Sequence, residues 1–422
     1  MPTADPTPAT HRAVEAVEAV WRIEAARLIA GLARMVRDVG RAEDLAQDAL
    51  VAALEQWPAS GIPDNPGAWL MTIAKRRAVD GIRREIRLEQ TIAELGRTLE
   101  TAEEIDIDIE EHVEDDVLRL MFTACHPVLT PPARAALTLK MLAGLRTEEI
   151  ARAFLVPTPT MAQRIVRAKK ALADARVPFE VPTGAELAPR LASVLGVLYL
   201  LFNEGYSATA GPDLVRPALC DEAMRLGRIL VALAPDEPEA HGLIALMELQ
   251  ASRLRARTDA AGEIVTLLDQ DRARWDQLLI RRGLAALDRT AVLGGGAGTH
   301  AVQAAIAACH ARARTADETD WGRIAALYAV LARVAPSPVI ELNRAVAVSM
   351  ADGPAAALEL VDALVDENAL ARYHLLPAVR ADLLVKLARP DEARAEFERA
   401  AGLTDNERER DLLLSRAAEC VS

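Results

Sequence analysis

The chain has 422 residues, of which 51% are hydrophobic, and it carries a formal net charge of −13. That length suffices for two or three domains with sizeable cores. The negative charge excludes a protein that coats nucleic acid over its whole surface, so any contact with nucleic acid must be confined to local basic patches.

Targeting and metal-binding patterns are weak throughout. Residues 1–11 are rich in Pro and Thr and lack an apolar core, which predicts a disordered tail and not a signal peptide. The longest apolar run, Leu191–Phe202, is too short to span a bilayer and predicts a buried helix. The cysteines show no CxxC or Cys/His finger spacing, so we expect a cytoplasmic protein with no membrane contact, no metal and no other cofactor. The cysteines are Cys125, Cys220, Cys309 and Cys420.

The first informative helix carries acid on its exposed side. Within Gly40–Trp57, helical spacing places Glu43, Asp44 and Asp48 on one solvent-exposed face. The next segment, Pro58–Asp64, is rich in turn-forming residues and predicts a loop.

A basic helix follows that loop. Asn65 is a favourable N-cap and Pro66 a favourable first helical residue, so the pattern predicts a helix over Asn65–Arg87. From Trp69 to Arg87 it has six basic residues against two acidic ones. The basic side is either a solvated surface or a contact with DNA phosphates. The opposite, apolar stripe consists of Leu70, Ile73, Ala74, Ala78, Ile82 and Ile86.

An acidic segment separates this helix from the next basic one. Leu99–Val117 holds ten acidic residues and no Lys or Arg. Like charges at this density resist packing and extend a chain, which indicates a solvated linker. Two other interpretations stay open: the segment follows a basic channel of a partner protein, or it folds back and masks the basic helices.

The second basic helix belongs to a helix-turn-helix pattern. Helices are predicted over Pro131–Leu142 and Arg146–Phe154, followed by a turn at Leu155–Pro157 and a third helix capped at Thr158. Leu155 is an unusual turn residue because it tolerates positive φ poorly. The third helix either reads DNA or is part of a three-helix packing unit with a solvated basic face. Its outward residues are Thr160, Gln163, Arg164, Arg167, Lys169 and Lys170.

After Pro178 the chain changes to helices rich in Ala, Leu and Arg, with almost no strand signal. Gly and Pro breaks leave helices of the length found in helix-hairpin repeats. Small and large apolar residues recur at a spacing of 36 residues near the end of the chain, as in tetratricopeptide repeats. The breaks fall near Gly211, Pro235, Gly294, Pro336, Gly353 and Pro390. The recurring positions are Ala345, Ala357, Val361 and Leu364, then Ala381, Ala393, Phe397 and Ala400.

Four segments of this extension combine charged, amide and aromatic residues. Paired carboxylates such as Asp269 and Asp271 are the groups of acid/base catalysis. In helical repeats, however, such residues usually tie helix ends together, and we favour that interpretation over a ligand pocket or a catalytic site. The segments are Phe202–Tyr206, Leu268–Asp276, Asp317–Trp321 and Asn343-Arg344.

The order of these elements resembles the bacterial extracytoplasmic-function sigma factors. In region 2 of that family, an Asp-Leu-x-Gln-Asp helix meets the clamp helices of RNA polymerase and an Asn-Pro-x-x-Trp-Leu helix lies on the −10 promoter element. The matching segments here are Asp44–Asp48 and Asn65–Leu70. Region 4 is a helix-turn-helix that reads the −35 element. The long extension is similar to the subgroup with a C-terminal tetratricopeptide-type domain.

The resemblance implies a role for individual residues. The acidic linker would thread a polymerase channel, and the loop Ser60–Asp64 would cradle a flipped −10 base, which needs apolar stacking and hydrogen bonds along its edge. Core polymerase would be bound by Asp44, Leu45, Gln47 and Asp48. The −10 element would be contacted by Ser60, Ile62, Asp64, Asn65, Trp69, Thr72, Lys75, Arg76, Arg83 and Arg84. The −35 element would be contacted by Thr158, Thr160, Gln163, Arg164, Arg167 and Lys170.

We therefore expect an all-α sigma factor that binds core RNA polymerase and promoter DNA and has no catalytic residues. The expected parts are a tail (1–11), region 2 (12–90), an acidic linker (91–116), region 4 (117–177) and a helical extension (178–422). The alternatives are a helical-repeat DNA-binding regulator that never engages polymerase, and an enzyme with a site in the extension. The extension, which we expect to modulate activity and to offer a surface for a protein or ligand partner, either supports transcription or inhibits it. Apolar residues soon after the connection 177–189 favour the supporting role.

Overall fold

The computed structural model describes residues 8–94, 113–154, 156–207, 210–211, 214–259, 262–366 and 370–420. Contacts divide the chain into an N-terminal unit, Met1–Val197, and a C-terminal unit, Leu198–Ser422. Helices form nearly all the regular structure of the described residues, which confirms the predicted all-α class.

The N-terminal unit begins with three helices, α1 (Pro8–Val36), α2 (Val39–Ser60) and α3 (Pro66–Glu94). Small side chains line much of their contact and let the helices approach closely. The predicted apolar stripe of α3 supplies its share of this core. Buried contact residues are Leu28, Ile29 and Leu32 of α1, Ala46, Ala49 and Ala53 of α2, and Leu70, Ala74 and Ala78 of α3.

Four shorter helices follow, α4 (Val113–Ala124), α5 (Pro131–Met141), α6 (Thr147–Ala153) and α7 (Thr158–Asp174). The last three form the predicted helix-turn-helix, in which α7 packs on α5 and α6. Helices α4 and α5 also pack on α1, so both basic helices belong to one packed body. The unusual turn residue Leu155 lies outside the described residues. The buried core residues of the motif include Ile150, Ala151, Met161, Ile165 and Leu172.

Helix α8 (Leu187–Tyr206) starts within the N-terminal unit. The buried hydroxyl of Ser193 donates to the carbonyl of Cys125 (2.5 Å) and accepts from Arg134 Nη1 (2.7 Å). These bonds attach the first turns of α8 to α4 and α5. The compact unit consequently runs beyond the expected domain boundary at residue 177.

Helices α1 and α2 each extend beyond a predicted bound. Helix α1 begins at Pro8, inside the stretch expected to be a tail. Helix α2 continues through Pro58 to Ser60, so Ser60 is helical and the loop is shorter than predicted. The hydrogen bond from the Gly61 amide to the Trp57 carbonyl (3.0 Å) closes its last turn.

The end of the acidic segment is also helical. Helix α4 begins at Val113, and the carboxylate of Asp116 is buried between Arg34 (3.3 Å) and Arg119 (2.5 Å). Burial of a carboxylate requires such partners, and the sequence pattern gave no sign of them. The rest of the expected linker, residues 95–112, lies outside the described residues.

The C-terminal unit holds the end of α8 and ten further helices among its described residues. Most helices contact the next one along the chain, as in helix-hairpin arrays. Two short parallel strands, β1 (Ala210–Gly211) and β2 (Asp405–Asn406), were not predicted. The helices are α9 (Pro217–Leu233), α10 (Pro238–Ala251), α11 (Gln277–Val292), α12 (Thr299–Arg312), α13 (Trp321–Val334), α14 (Pro338–Ala351), α15 (Pro354–Asp366), α16 (Leu375–Lys386), α17 (Pro390–Ala401) and α18 (Glu407–Glu419).

Proline marks several helix starts of this unit. Helices α10, α14, α15 and α17 begin at Pro238, Pro338, Pro354 and Pro390, which confirms the predicted breaks. Proline is favoured there because the first helical amides have no partner within the helix. The eight apolar positions that recur at 36-residue spacing are all buried, so they form the contacts between α14, α15, α16 and α17.

One described helical segment, Gly184–Tyr206, is long and apolar enough to cross a membrane by length and composition alone. Its side chains at Leu191, Val194, Leu198 and Leu201 are buried inside the protein. Such burial is typical of a core helix, as the sequence predicts.

Candidate protein and DNA interfaces

The outer face of α2 combines acid with apolar surface. The side chains of Asp44 and Asp48 are 75% and 61% exposed. One and two turns further along the same face, Val51 and Leu54 are also exposed. Large apolar side chains grouped with charge on one helix face are typical of a protein-docking surface. Val51 and Leu54 were not among the predicted contact residues, although their helical spacing from Asp44 places them on the same side of α2.

The remaining predicted residues of α2 are less accessible. Leu45 and Gln47 are half-buried, and the Gln47 amide donates to Glu43 (3.2 Å). Glu43 itself was expected to be exposed, and that expectation is wrong. Its carboxylate is buried against Lys140 of α5 (3.6 Å) and Lys169 of α7.

Lys169 joins the second basic helix to α2. Its ammonium group contacts Glu43 and lies 3.0 Å from Asp44 Oδ1. Burial lowers the pKa of Lys169, but the two carboxylates outweigh burial and the pKa is raised. Lys169 was expected to face outward with the DNA-facing residues, and instead it faces region 2.

The N-terminal end of α3 is built as the sequence predicts. The Asn65 side chain accepts a hydrogen bond from the amide of Ala68 (3.0 Å), which confirms the N-cap. The Thr72 hydroxyl donates to the Ala68 carbonyl (2.9 Å). Of the residues assigned to the −10 element, Lys75 and Trp69 are half-buried. The exposed ones are Ser60, Ile62, Asp64, Asn65, Thr72, Arg76, Arg83 and Arg84.

Trp69 has a packing role in this region. Its ring makes an edge-to-face contact with the buried Trp57, with centroids 5.5 Å apart. The neighbouring Ser60 hydroxyl donates to the Gln56 carbonyl (2.9 Å). Gly61 has a φ of +84°, a conformation that side chains rarely adopt, and it turns the chain into the loop. The non-helical part of the expected base cradle is therefore Gly61–Asp64.

Arg77 of α3 contacts α2. Arg77 Nη1 donates to the carbonyl of Asp48 (2.7 Å) and lies 3.5 Å from its carboxylate. This contact places the basic helix beside the acidic face of α2. The sequence shows Arg77 only as one of the basic residues of α3, and its contact with Asp48 was not predicted.

The outward side of α7 is largely open. Its N-cap is Pro157, and no side-chain bond caps the helix, so the expected cap at Thr158 is wrong. Pro159 early in the helix compensates for the missing side-chain cap, because proline has no amide N–H that would lack a partner. Arg164 is half-buried. The exposed residues among those assigned to the −35 element are Thr158, Thr160, Gln163, Arg167 and Lys170.

Further ion pairs join the two halves of the N-terminal unit. Arg22 of α1 lies 3.1 Å from Glu149 of α6, and Arg146 lies 3.2 Å from Glu18 of α1. All four are surface or partly exposed groups, so each pair contributes at most about 1 kcal/mol. The buried Glu43 site is the stronger connection.

The paired carboxylates of Asp269 and Asp271 bind groups of the loop in which they lie. Asp269 accepts from the Thr266 hydroxyl (2.5 Å), and Asp271 caps a short 3-10 turn at the amide of Ala273 (2.9 Å). Both are thus tied to local structure, as the favoured interpretation holds.

Comparison with known proteins covers most of the chain. Residues 23–87 match the family model of sigma-70 region 2, and residues 119–172 match that of sigma-70 region 4. Residues 190–291 match a family of unknown function, DUF6596. The first two matches contain both basic helices and the acidic face of α2.

Three relatives illustrate the similarity. The chain is 30% identical over 164 residues to the ECF RNA polymerase sigma factor SigK of Mycolicibacterium vanbaalenii. That alignment covers 37% of this chain and 79% of that protein. It is 28% identical over 167 residues to the probable ECF RNA polymerase sigma factor SigI of Mycobacterium tuberculosis, covering 39% of this chain and 57% of that one. It is 45% identical over 381 residues to an uncharacterized protein of Rhizobium meliloti, covering 89% of each chain. The chain therefore belongs to the ECF RNA polymerase sigma factors, which initiate transcription with core RNA polymerase.

Proposed function

We propose that the outer face of α2 is the surface that binds core RNA polymerase. The observation that carries this proposal is the grouping of Asp44 and Asp48 with Val51 and Leu54 on one exposed helix face. Exposed carboxylates favour a basic partner, and the apolar residues supply surface to bury.

The test is a titration of core RNA polymerase with the variant Asp44→Arg/Asp48→Arg. Like charges then face each other, so binding should weaken by on the order of several kcal/mol. The fold should persist, because both side chains are mostly exposed. The matched control, Asp80→Arg/Asp174→Arg, makes the same charge change on α3 and α7 and should keep its affinity for core enzyme. Equal affinities of the two variants would refute the assignment.

The exposed side of α3 is assigned to the −10 element. Arg76, Arg83 and Arg84 provide positive charge for phosphates, and Gly61–Asp64 leads into the helix with its Ile62 side chain exposed. An extruded base needs such apolar and backbone contacts, and its capture offsets the few kcal/mol of unstacking. Trp69 contributes mainly by fixing α3 against Trp57.

The exposed side of α7 is assigned to the −35 element. Thr160, Gln163 and Arg164 lie near the start of the helix, where a helix-turn-helix contacts base edges. Arg167 and Lys170 lie further along and can neutralise phosphates. Lys169 is left out because it pairs with Glu43.

The C-terminal unit is assigned a supporting role in transcription. The bonds of Ser193 to Cys125 and Arg134 hold the first turns of α8 within the N-terminal unit, and the same helix continues into the C-terminal unit. The buried recurring positions support a helix-hairpin repeat of the tetratricopeptide type. We assign no catalytic step to it, and we place the protein in the cytoplasm with its polymerase and DNA partners.

Truncation after Val197 tests this role, since the shortened chain retains every described contact of the N-terminal unit. We expect lost transcription with retained binding of core enzyme. Circular dichroism of the truncated chain controls for folding. Increased transcription would overturn the supporting role in favour of autoinhibition.

A further inference from the structure

The chain has four tyrosines, and all lie in the C-terminal unit. Tyr199 and Tyr206 are two turns apart on one face of α8, Tyr328 is on α13, and Tyr373 precedes α16. Each is half-buried, so part of every ring or hydroxyl is open to solvent. A set of this kind lines a surface that a ligand can reach, whereas a solid core would enclose the rings.

Two arginines lie against one of these rings. The guanidinium carbons of Arg257 and Arg253 are 3.9 and 5.5 Å from the ring centroid of Tyr206. Arg257 Nη1 also donates to the Tyr206 carbonyl. Within the described part of the chain, neither arginine forms an ion pair with a carboxylate, and the Arg253 side chain makes no hydrogen bond. Two cations thus share one aromatic ring without a counter-charge in contact.

One other tyrosine senses an arginine of this pair directly. Burial and Tyr199 together raise the pKa of Tyr328 to about 12, and Arg253 opposes them. Burial, Glu409 and Tyr199 raise the pKa of Tyr373. The Tyr199 hydroxyl is itself fixed by Gln303 (3.0 Å). Tyr328 of α13 is therefore near Arg253, and Glu409 of α18, which also acts on Arg257, is near Tyr373.

A third arginine adds positive charge near Arg253. Arg272 is buried, and its guanidinium donates to two carbonyls and to the Thr319 hydroxyl (2.9 Å), all of which are neutral acceptors. The pKa of His310 is lowered to about 3 by burial and then by Arg253 and Arg272. This histidine is consequently neutral and gives no further charge at ordinary pH.

Arg272 and Arg253 differ in what they do. Arg272 ties the end of α12 to the segment 317–321, as expected for a helix-end contact in a repeat. Arg253 has no such structural partner among the described residues, although it is half-buried and faces like charges. A partly buried cation without a carboxylate partner is unfavourable, and an oxyanion beside it would relieve that cost.

We propose that Arg253 and Arg257 bind the oxyanion, carboxylate or phosphate, of a small organic acid whose planar or apolar body lies against Tyr206 and the neighbouring tyrosines. Arginine suits this role because its planar fork matches both oxyanions. Tyrosine rings provide apolar contact with a polar end. The site is separate from the polymerase and promoter surfaces and does not rest on their assignment.

Fluorine NMR of the full-length protein labelled with 3-fluorotyrosine tests the proposal, because the chain has only four tyrosines and the Tyr206 ring lies against both arginines. The probes are sodium benzoate for a carboxylate source and inorganic phosphate for a phosphate source, each against sodium chloride at equal ionic strength. We expect at least one probe to shift the Tyr206 resonance saturably, and the probe that binds more tightly identifies the oxyanion.

Arg253→Gln removes the unpartnered charge and should weaken probe binding by about tenfold or more, the loss expected for a charge-assisted hydrogen bond. The matched control, Arg255→Gln, changes an exposed arginine two residues away and should bind as the parent does. If Arg253→Gln does not fold, Arg253→Lys keeps the charge without the fork and must still weaken binding. The proposal is overturned if neither probe shifts a resonance beyond the chloride control, or if the variants at 253 and 255 bind alike.

Discussion

The two basic helices of the N-terminal unit, α3 (Pro66–Glu94) and α7 (Thr158–Asp174), each use one cation to contact α2, but the contacts differ. Arg77 of α3 meets Asp48 at the surface, where both side chains are 40% or more exposed. Lys169 of α7 meets Glu43 where the two are 18% and 4% exposed. One pair is open to water and the other is nearly dry.

The difference follows from what else holds each helix. Helix α3 is attached to α1 and α2 by its own apolar stripe, so its ion pair adds little. The apolar face of α7 packs on α5 and α6, and only a small part of the helix contacts α2. A buried charge pair supplies that contact. An outward cation on a basic helix is therefore not always available to DNA, because α7 has an apolar face, an exposed basic side and a side that faces α2.

The largest effect expected from this comparison is on stability. Glu43→Gln leaves Lys140 and Lys169 without their shared counter-charge, and it should lower the free energy of unfolding by about 2–4 kcal/mol, since removing one member of a buried pair leaves an uncompensated charge. Denaturant unfolding of the full chain measures it. The control, Asp44→Asn, acts at the exposed end of the same cluster and should cost less than about 1 kcal/mol. Equal costs would contradict the distinction between the buried carboxylate of Glu43 and the exposed carboxylate of Asp44.

A smaller effect separates the sides of α7 in DNA binding by the polymerase holoenzyme. Lys170→Ala should weaken binding on all sequences and reduce the salt slope by about one charge, whereas Arg164→Ala should relax the −35 preference. Lys169→Ala should leave the salt slope unchanged, because its charge is already paired with Glu43. A loss of slope in Lys169→Ala equal to that in Lys170→Ala would show that both face DNA.

Much of this architecture was predictable from local signals. Asn65 caps α3, Pro238 and Pro354 start their helices, and Ala381 and Phe397 are buried, because caps, prolines and apolar spacing act within a few residues. Most of the outward side of α7 followed from the same periodicity, with Lys169 as the exception.

Long-range partners were not predictable. Glu43 has the spacing of an exposed residue, and only Lys140 and Lys169, far along the chain, explain its burial. Asp116 likewise has the spacing of a linker residue, and its place in α4 depends on a distant partner. The guanidinium of Arg34 compensates its buried negative charge. The arginine pair near Tyr206 was likewise not predictable: the sequence marked the segment of Tyr206, but Arg253 and Arg257 follow α10 and meet α8 only in the folded unit.

The central claim is that α3 and α7 read two promoter elements when the protein is bound to core RNA polymerase. Run-off transcription from a promoter library randomised in both elements, with core enzyme and the full chain, tests it most directly. We expect transcripts only when both proteins are present, from templates that share two sequence elements at a fixed spacing. Transcripts that require a single element, or DNA binding without any transcript, would contradict it.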